Sequence, residues 1–488
     1  MKLSFLSSEL GDCLIEQRGD AEIQSLNMDS RSEAKDSLFF CISGSRHDAH
    51  EFAPQAVANG ACALVVERFL EDISVPQVLV RNARQAMALM AGTFYGHADR
   101  EMKLLGLTGT KGKTTTSYLI KGILEHAGFK VGLIGTTGNM IGSRFLKSNL
   151  TTPDPIDLHR TLREMADSKV QLVVMEVSAH ALAMNRLSGI RFETGCYTNL
   201  SQDHLDYFGT MEKYFECKKG FFTRGWLNNA ALNVDDETTQ KIIDFTDVPF
   251  TRFGIAQNAD VAARNIEISE NGVQFNLIVL GRESYPVDLK LTGMFNVYNA
   301  LAASAVCLNL GLEPDVIARG IGKVRSVPGR AQVLETHTPY KVVLDYSHSP
   351  DALENILTST REFVRGRIIC VFGCGGDRDK QKRPIMGEIG GKLADFCILT
   401  SDNPRTENPF DILASVEKGI KKTGGEYIVI ENRRQAIRHA LQMGREGDII
   451  ILAGKGHETY QEIMGVKRPF DEKIVVGELL EELKETEQ

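Results

Sequence analysis

The segment with the most chemical content is a glycine- and threonine-rich run at residues 106–116, GLTGTKGKTTT. An apolar, strand-like stretch precedes it and a helical pattern follows it. Glycines let the backbone turn so that its N–H groups face phosphate oxygens, and the start of the following helix adds partial positive charge. In such a loop Lys113 contacts the outer phosphates of a nucleoside triphosphate, and the Thr114 hydroxyl contacts Mg²⁺. The alternative is an ordinary glycine-rich turn, which the order of strand, Gly-Lys-Thr and helix disfavours.

A metal that accompanies a nucleotide needs acidic ligands, and two polar clusters follow predicted strands. The run 172–175 ends at Glu176, and an acid at the carboxyl end of a parallel strand lies at the ligand-binding edge of the sheet. Glu176 is therefore a candidate Mg²⁺ ligand, directly or through water, although Ser178 equally suits a helix cap. The second cluster, residues 199–207, follows another predicted strand and contains His204. It lacks the lysine of a guanine-reading motif, and both a metal or phosphate role and an ordinary surface pair stay open for His204.

The elements around these motifs predict an α/β protein of three domains. Short strand-like runs with one helical segment predict a small α/β domain over residues 1–99. Residues 100–331 alternate strands and helices around the phosphate loop, as a parallel-sheet ATPase domain requires, and Asn271-Gly272 predicts a hairpin in its later part. Residues 332–488 contain five apolar strands separated by helices, which predicts a doubly wound, Rossmann-like domain.

Composition excludes several classes of protein. The 488 residues are 42% hydrophobic and 25% charged, which is enough to bury several cores and excludes wholesale disorder. A net charge of −8 argues against nucleic acid or an anionic membrane as the main partner. No run approaches the roughly 20 apolar residues of a membrane span, and the N-terminus lacks the apolar core of a signal peptide. Nine scattered cysteines are typical of reduced thiols, so we expect a cytoplasmic protein.

These motifs together resemble those of the Mur ligases. The phosphate loop departs from the general pattern because Leu107 stands where the first glycine is expected, and this departure is similar to the loop of the ATP-dependent amide ligases that build peptidoglycan and polyglutamate. The resemblance covers nearly the whole chain and occurs in the family's order, through residues 109–116, 151–153, 176–180, 199–207, 296–300, 328–330, 345–350, 373–384, 402–405 and 453–458.

The resemblance implies an ATP-dependent amide ligase of peptidoglycan synthesis that works through an acyl phosphate, with ATP and Mg²⁺ as cofactors. It implies small-molecule substrates, namely UDP-N-acetylmuramoyl-L-alanyl-D-glutamate, meso-diaminopimelate and ATP, and we expect a monomer with no nucleic-acid partner. The catalytic residues that it implies are Lys113, Glu176, His204 and Lys218. The implied metal ligands are Thr114, Glu176, His204 and Lys218, the last as its carbamate. The residues themselves predict a solvated Lys218, beside Lys219 on a charged helix.

Binding residues follow from the same resemblance. ATP is expected to contact Gly109, Thr110, Lys111, Gly112, Lys113, Thr114, Thr115, Asn299, Arg330 and Asp345. The UDP substrate is expected to contact Ser30, Arg46, His47, Thr151, Thr152, Ser178 and Arg186, although Ala49 stands where relatives commonly have glycine in the loop of Arg46. The amino acid is expected to contact Arg378, Asp402, Asn403, Pro404, Arg405, Gly454 and Glu458.

The run Asp402-Asn403-Pro404-Arg405 bears on which amino acid is added. Its residue types alone predict a turn, in which Arg405 is also a natural bidentate partner for a carboxylate. The run resembles the version in the family that accepts meso-diaminopimelate, whose second ammonium–carboxylate centre lysine lacks. Asp402 and Asn403 would then receive the ammonium and Arg405 the carboxylate. The alternatives are a folylpolyglutamate-type ligase and a P-loop switch or motor. The run 402–405 and Ser30 disfavour the first, and the missing guanine motif disfavours the second.

Overall fold

The computed structural model describes residues 1–44, 47–146, 148, 150–256, 258–281 and 283–486. The chain forms two compact units, one of residues 1–259 with 302–313 and one of residues 260–301 with 314–488. Separate α/β sheets in the N-terminal, central and C-terminal parts of the chain confirm the predicted fold class. The domain limits at residues 99 and 331 stay predictions.

The N-terminal sheet has five strands in the order β1-β5-β4-β3-β2, parallel except for β1 against β5. Its elements are α1 (Leu3–Ser7), β1 (Leu14–Arg18), β2 (Ser25–Asn27), β3 (Ser37–Phe40), α2 (Ala53–Ala58), β4 (Ala61–Val66), β5 (Gln77–Val80) and α3 (Ala83–Phe94). The Asn82 side chain caps α3 by accepting from the Gln85 amide, and Ala83, Ala86 and Met90 of that helix pack on the sheet.

The central part of the first unit holds a larger sheet, of which eight strands run in the order β13-β12-β11-β6-β10-β7-β8-β9. The strands are β6 (Lys103–Thr108), β7 (Val131–Gly135), β8 (Gly138–Ile141), β9 (Arg144–Leu146), β10 (Leu172–Glu176), β11 (Phe192–Tyr197), β12 (Leu227–Asn233) and β13 (Phe250–Gly254). The helices are α4 (Lys113–His126), α5 (Pro155–Asp167), α6 (Ala179–Ala183), α7 (Leu205–Phe208), α8 (Met211–Lys219) and α9 (Thr239–Ile243).

Strands β13 to β7 of this sheet are parallel, as predicted, and β8 and β9 extend it antiparallel. Strand β6 lies in the middle, and its Leu104, Leu105 and Leu107 are buried, as expected for a strand covered on both faces. Because β6, β10 and β11 are neighbours, the segments that follow them meet at one carboxyl edge of the sheet.

The second unit begins with an antiparallel meander of β14 (Val261–Ser269), β15 (Gly272–Val279) and β16 (Glu283–Leu289). Ser269 pairs with Gly272, so the predicted hairpin is confirmed, but its two turn residues are Glu270 and Asn271, one position earlier than predicted, and Gly272 begins β15. Helices α10 (Met294–Asn309) and α11 (Pro314–Ile321) follow.

The C-terminal sheet has six strands in the order β17-β18-β22-β19-β20-β21, parallel except for β17. The strands are β17 (Gln332–Leu334), β18 (Lys341–Asp345), β19 (Ile368–Phe372), β20 (Phe396–Leu399), β21 (Tyr427–Val429) and β22 (Ile449–Ala453), and a small ribbon of β23 (Tyr460–Ile463) and β24 (Val466–Pro469) follows. The helices are α12 (Pro350–Arg361), α13 (Lys382–Leu393), α14 (Pro409–Ile420), α15 (Arg433–Met443) and α16 (Glu472–Thr486).

Helices cover both faces of this sheet. Apolar residues of α12, α13 and α14 pack on one face, and those of α15 and α16 pack on the other. This arrangement confirms the doubly wound prediction, and it directs attention to the carboxyl edge of the strands, where such sheets bind ligands. Among the helices of the described residues, none is long and apolar enough to cross a bilayer.

Candidate active site

The phosphate loop lies between β6 and α4, at the carboxyl edge of the central sheet. Gly109 has a φ of 142°, and a side chain there would overlap the Thr198 hydroxyl, so the loop can pass this point only with glycine. The Lys113 ammonium donates hydrogen bonds to the Gly109 carbonyl (2.9 Å) and the Thr110 carbonyl (3.0 Å). The loop thereby holds the Lys113 ammonium at the start of α4, where backbone N–H groups also favour an anion.

Residues that follow β11 brace the phosphate loop. The Lys111 backbone N–H donates to the Asn199 side-chain oxygen (3.0 Å). The Lys111 carbonyl accepts from the Thr198 hydroxyl (2.7 Å) and from the Asn199 side-chain nitrogen (3.1 Å). The first part of the second polar cluster therefore supports the loop. This contact joins segments about ninety residues apart and depends on β6 and β11 being neighbours.

Glu176 is buried at the end of β10, with 1% of its surface exposed. Its carboxylate accepts from the Thr114 hydroxyl (3.1 Å) and from both the amide and the hydroxyl of Thr136 (3.0 Å each). Hydroxyl and carboxylate oxygens are the protein ligands that Mg²⁺ prefers, so this pair fits the metal predicted from the sequence. Thr136 was not predicted from the sequence. Its position directly after β7, the strand beside β10, would have indicated it, because the ends of neighbouring parallel strands lie at the same edge of the sheet.

Three of the residues predicted to hold the UDP substrate lie around the backbone of Glu176. The Thr152 hydroxyl donates to the Glu176 carbonyl (2.7 Å) and accepts from the Ser178 amide (3.0 Å). Arg186 donates to the Thr152 carbonyl (2.9 Å) and pairs with Asp154 (3.0 Å). A fourth, Thr151, shares a hydroxyl–hydroxyl contact of 3.0 Å with Thr136, the partner of the Glu176 carboxylate. The Ser178 side chain also caps α6, as its alternative role required.

Lys218 is buried, with 1% of its surface exposed, in contrast to the solvated position that its charged helix predicts. Its ammonium donates to the Gly109 carbonyl (2.9 Å) and lies 4.6 Å from the centre of the Tyr214 ring. Burial lowers the pKa of Lys218 well below its ordinary value, and the nearby Lys113 lowers it further. The environment therefore favours the neutral amine, which is the nucleophilic form of lysine.

His204 lies at the start of α7 with a left-handed φ of 54°. Its ring packs edge-on against His180 with centres 4.7 Å apart, and its Nε2 is 3.6 Å from the Asp203 carboxylate. Burial lowers the pKa of His204, which favours the neutral imidazole that binds metals. Within the described residues, no three His, Cys, Asp or Glu side chains are grouped to hold a metal, so the metal role of His204 stays a prediction.

The N-terminal candidates are described only in part. The Ser30 carbonyl accepts from the Asn59 amide (2.8 Å), and the Ser30 hydroxyl is 3.4 Å from the Gln55 side-chain oxygen. His47 is exposed, and Arg46 lies outside the described residues. The predicted UDP contacts of this part of the chain stay predictions.

In the second unit, two of the predicted nucleotide residues lie together. Asp345 is the last residue of β18. Its carboxylate accepts from the Ala331 backbone N–H (2.7 Å) and from the Ser347 hydroxyl. Burial raises the pKa of Asp345. The Arg330 guanidinium lies over the Tyr346 ring at 4.9 Å. Of the remaining candidates, Asn299 lies on α10 and donates to the Asn296 side chain (2.9 Å).

The predicted amino-acid residues gather at the carboxyl edge of the C-terminal sheet. The Asn403 amide, in the loop after β20, donates to the Glu458 carboxylate, in the loop after β22, at 2.8 Å. A side chain at Gly454 would overlap the Asp402 carboxylate, so glycine is required for these two loops to approach. Arg405 donates to the Gly376 carbonyl (2.7 Å), in the loop after β19. Arg378 is exposed in that same loop, and Pro404 is buried.

An ion pair between a buried arginine and a partly buried glutamate ties two of these loops together. Arg383 makes a two-bond contact with the Glu407 carboxylate (2.8 and 3.0 Å), and Glu407 also accepts from the Asp377 amide (2.6 Å). These hydrogen bonds lower the pKa of Glu407 from 4.5 to about 2. The loops that carry Arg378 and Arg405 are therefore fixed relative to each other through Glu407.

We expect Glu407→Gln to lower the free energy of unfolding at pH 7 by on the order of 1–2 kcal/mol, because the paired carboxylate is lost. The pKa of the folded form is depressed, so the stabilisation is present above pH 4.5 and is lost as the pH falls towards about 2. Denaturant unfolding of both proteins between pH 7 and pH 2.5 measures this difference. A difference that stays constant over the whole range would contradict the assignment.

Most of the chain matches profiles of one protein family. Residues 22–95 match a profile described as "Mur ligase family, catalytic domain", residues 107–307 match "Mur ligase middle domain", and residues 329–456 match "Mur ligase, glutamate ligase domain". The three matches occur in the order of the three sheets.

Individual proteins match over nearly the same length. The chain is 44% identical over 470 residues to UDP-N-acetylmuramoyl-L-alanyl-D-glutamate--2,6-diaminopimelate ligase 1 of Clostridium acetobutylicum, which covers 95% of this chain and 96% of that protein. A solved structure of a UDP-N-acetylmuramoyl-L-alanyl-D-glutamate--2,6-diaminopimelate ligase is 32% identical, with a TM-score of 0.67 and 95% of each chain covered. The folylpolyglutamate synthase of Mycobacterium tuberculosis, solved with ADP and AMPPCP, shares the fold at 18% identity and a TM-score of 0.64, over 76% of this chain and 93% of that chain.

Proposed function

The chain belongs to the Mur ligase family of ATP-dependent amide ligases, and we propose that it adds meso-diaminopimelate to UDP-N-acetylmuramoyl-L-alanyl-D-glutamate in peptidoglycan synthesis. The observation that carries the choice of amino acid is the joined pair of loops after β20 and β22. The Asn403–Glu458 bond brings the carboxylates of Asp402 and Glu458 to the same edge of the sheet as Arg405. Acidic and basic side chains at one edge of the sheet suit the far end of meso-diaminopimelate, which carries both an ammonium and a carboxylate.

ATP is needed because a carboxylate is a poor acylating agent. Transfer of the terminal phosphoryl group to the carboxylate of the UDP substrate gives an acyl phosphate, with release of ADP. The amine of the incoming amino acid then attacks the acyl carbon, and the tetrahedral intermediate expels phosphate. Negative charge accumulates in both steps, and we propose that Lys113 stabilises it; the bonds that hold its ammonium in the phosphate loop support this role.

We propose that Thr114 and Glu176 hold Mg²⁺, with His204 and the carbamate of Lys218 at a second metal position. The hydroxyl–carboxylate contact between Thr114 and Glu176 supports the first position. The metal would supply positive charge that offsets the charge of the phosphates. Thr136 holds the Glu176 carboxylate in place through two hydrogen bonds, so we assign it a positioning role.

The two chemical steps have a direct test in isotope transfer. The UDP substrate is prepared with ¹⁸O in the carboxylate that becomes the amide and is incubated with ATP and meso-diaminopimelate. Because the acyl phosphate expels one oxygen of that carboxylate with phosphate, we expect one ¹⁸O atom in the released phosphate. Label found only in the amide product or in water would contradict this mechanism.

Arg405→Ala is expected to raise KM for meso-diaminopimelate by roughly tenfold to a hundredfold, because a charge-assisted carboxylate contact is lost. KM for ATP and for the UDP substrate should change much less. Use of lysine need not improve, since losing a carboxylate contact does not create a lysine site. Steady-state kinetics with each substrate varied in turn measure these effects.

The alternative is that Arg405 only braces its turn, as its hydrogen bond to the Gly376 carbonyl and its 3.5 Å contact with Glu462 allow. In that case the melting temperature would fall while the diaminopimelate-to-lysine preference stayed unchanged. Arg434→Ala is the matched control, because Arg434 pairs with Glu478 and Glu482 on the helical face of the same sheet. Its substrate preference should equal that of the wild type.

We propose that the enzyme works in the cytoplasm on small-molecule substrates. All nine cysteines lie in the described part of the chain, and each is a free thiol. Burial raises the pKa of Cys370 and Cys374, and the Cys374 sulfur contacts the Met386 sulfur at 3.6 Å. Inert thiols of this kind suit a reducing compartment.

A further inference from the structure

A completely buried lysine, Lys455, lies between the two loops that carry the proposed acceptor residues. None of its surface is exposed. Its ammonium donates to the Asn403 side-chain oxygen (3.1 Å) and to the Glu458 carboxylate (3.1 Å), and it lies 5.6 Å from the centre of the Tyr460 ring. Buried lysines are uncommon unless they are paired, so this placement calls for a role.

Lys455 fixes the orientation of the Asn403 amide. The Asn403 oxygen accepts from the Lys455 ammonium and from the Glu462 amide (2.9 Å), while its nitrogen donates to the Glu458 carboxylate (2.8 Å). An ammonium can only donate, so the oxygen of Asn403 must face it. The nitrogen is thereby directed to Glu458, and Asn403 serves chiefly to position that carboxylate.

Lys455 also sets the charge at this edge of the sheet. Three acidic side chains lie at this edge, those of Asp402, Glu458 and Glu462, and three basic ones, those of Arg378, Arg405 and Lys455. With Lys455 paired to Glu458 and Glu462 beside Arg405, these charges balance. The far end of meso-diaminopimelate carries an ammonium and a carboxylate and is neutral overall. The far end of lysine carries an ammonium alone, so removing the charge of Lys455 would favour lysine.

We infer that Lys455 is a positioning residue that makes the acceptor site select an amino acid with a zwitterionic far end over one with a cationic far end. It acts by holding the side chains of Asn403 and Glu458 in place and by offsetting the negative charge of the Glu458 carboxylate. This inference rests on the proposed function, because it assumes that these loops bind the incoming amino acid.

The test compares wild type, Lys455→Met and Lys455→Arg, with kcat and KM measured for meso-diaminopimelate and for L-lysine. In Lys455→Met we expect the diaminopimelate-to-lysine ratio of kcat/KM to fall about tenfold or more, because one charge and two charge-assisted hydrogen bonds are lost. Lys455→Arg keeps the charge and should restore most of the preference. KM for ATP should change little in both variants.

Lys467→Met is the matched control. Lys467 lies 4.3 Å from the centre of the same Tyr460 ring, but it is exposed. Its variant should keep the wild-type preference. If Lys455→Met does not fold, Lys455→Gln removes the charge while keeping a donor, and the same fall in preference is expected.

An unchanged preference in a folded, uncharged variant would overturn the inference, as would an equal loss of kcat with both amino acids. These outcomes are distinct from failure of the proposed function. If wild type itself does not ligate meso-diaminopimelate, the proposed function fails. If wild type prefers meso-diaminopimelate and Lys455→Met prefers it equally, only the role of Lys455 fails.

Discussion

Lys113→Ala is expected to lose roughly 10³-fold or more in kcat. The substitution removes the ammonium whose positive charge stabilises the phosphoryl group during transfer. The fold should persist, since the lysine bonds to the Gly109 and Thr110 carbonyls, which belong to its own loop. Ligation assays with saturating substrates, together with a melting curve, measure both effects.

Lys121→Ala is the matched control for this variant. Lys121 lies on the same helix, α4, and pairs with Glu125 one turn later at 2.8 Å. Such pairs contribute little to stability, and Lys121 has no place in the proposed site, so activity should stay near that of wild type. A Lys113→Ala enzyme that ligates at the control's rate would mean that the phosphate-loop assignment is wrong.

The second large effect is expected at Lys218. Lys218→Ala should lose at least about a hundredfold in kcat, since the proposed carbamate would help hold a metal that offsets phosphate charge. The depressed pKa supports the modification, because a neutral lysine amine attacks CO₂ and the resulting carbamic acid loses its proton. Short carboxylates such as acetate should restore part of the activity by replacing the missing anion.

Removing CO₂ from the buffer should lower the activity of wild type and leave Lys218→Ala unchanged. Lys219→Ala is the control, because Lys219 is the next residue and pairs with Glu216 at the surface (2.7 Å). It should keep wild-type activity and wild-type CO₂ dependence. Mass measurement that finds only unmodified Lys218 in active, CO₂-equilibrated protein, without acidification, would contradict the carbamate.

Much of the fold follows from local sequence patterns. Continuous apolar runs such as 368–372, rich in β-branched residues, favour strands buried on both faces, and the structure gives strand β19 the same limits. The position of Glu176 was also predictable, because the carboxyl ends of parallel strands share one edge of a sheet. The hairpin between β14 and β15 followed from Asn271-Gly272 and the alternating residues on either side of it, although its turn lies one residue earlier.

Other features depend on contacts between distant segments. Lys218 looks solvated in sequence, and only the packing of α8 near the phosphate loop buries it against Gly109. Asn403 and Glu458 lie 55 residues apart, and their contact follows from the loops after β20 and β22 approaching at Gly454. Nothing local to Asn403 indicates that its amide is oriented by Lys455.

The most direct test of the central claim offers meso-diaminopimelate and L-lysine together, at equal concentration, to the enzyme with ATP, Mg²⁺ and UDP-N-acetylmuramoyl-L-alanyl-D-glutamate. Mass spectrometry identifies the nucleotide product, and released phosphate is counted in the same sample. We predict that the product contains meso-diaminopimelate, with one phosphate released for each amide formed. A product containing mainly lysine, or phosphate release that does not depend on an added amino acid, would contradict the account.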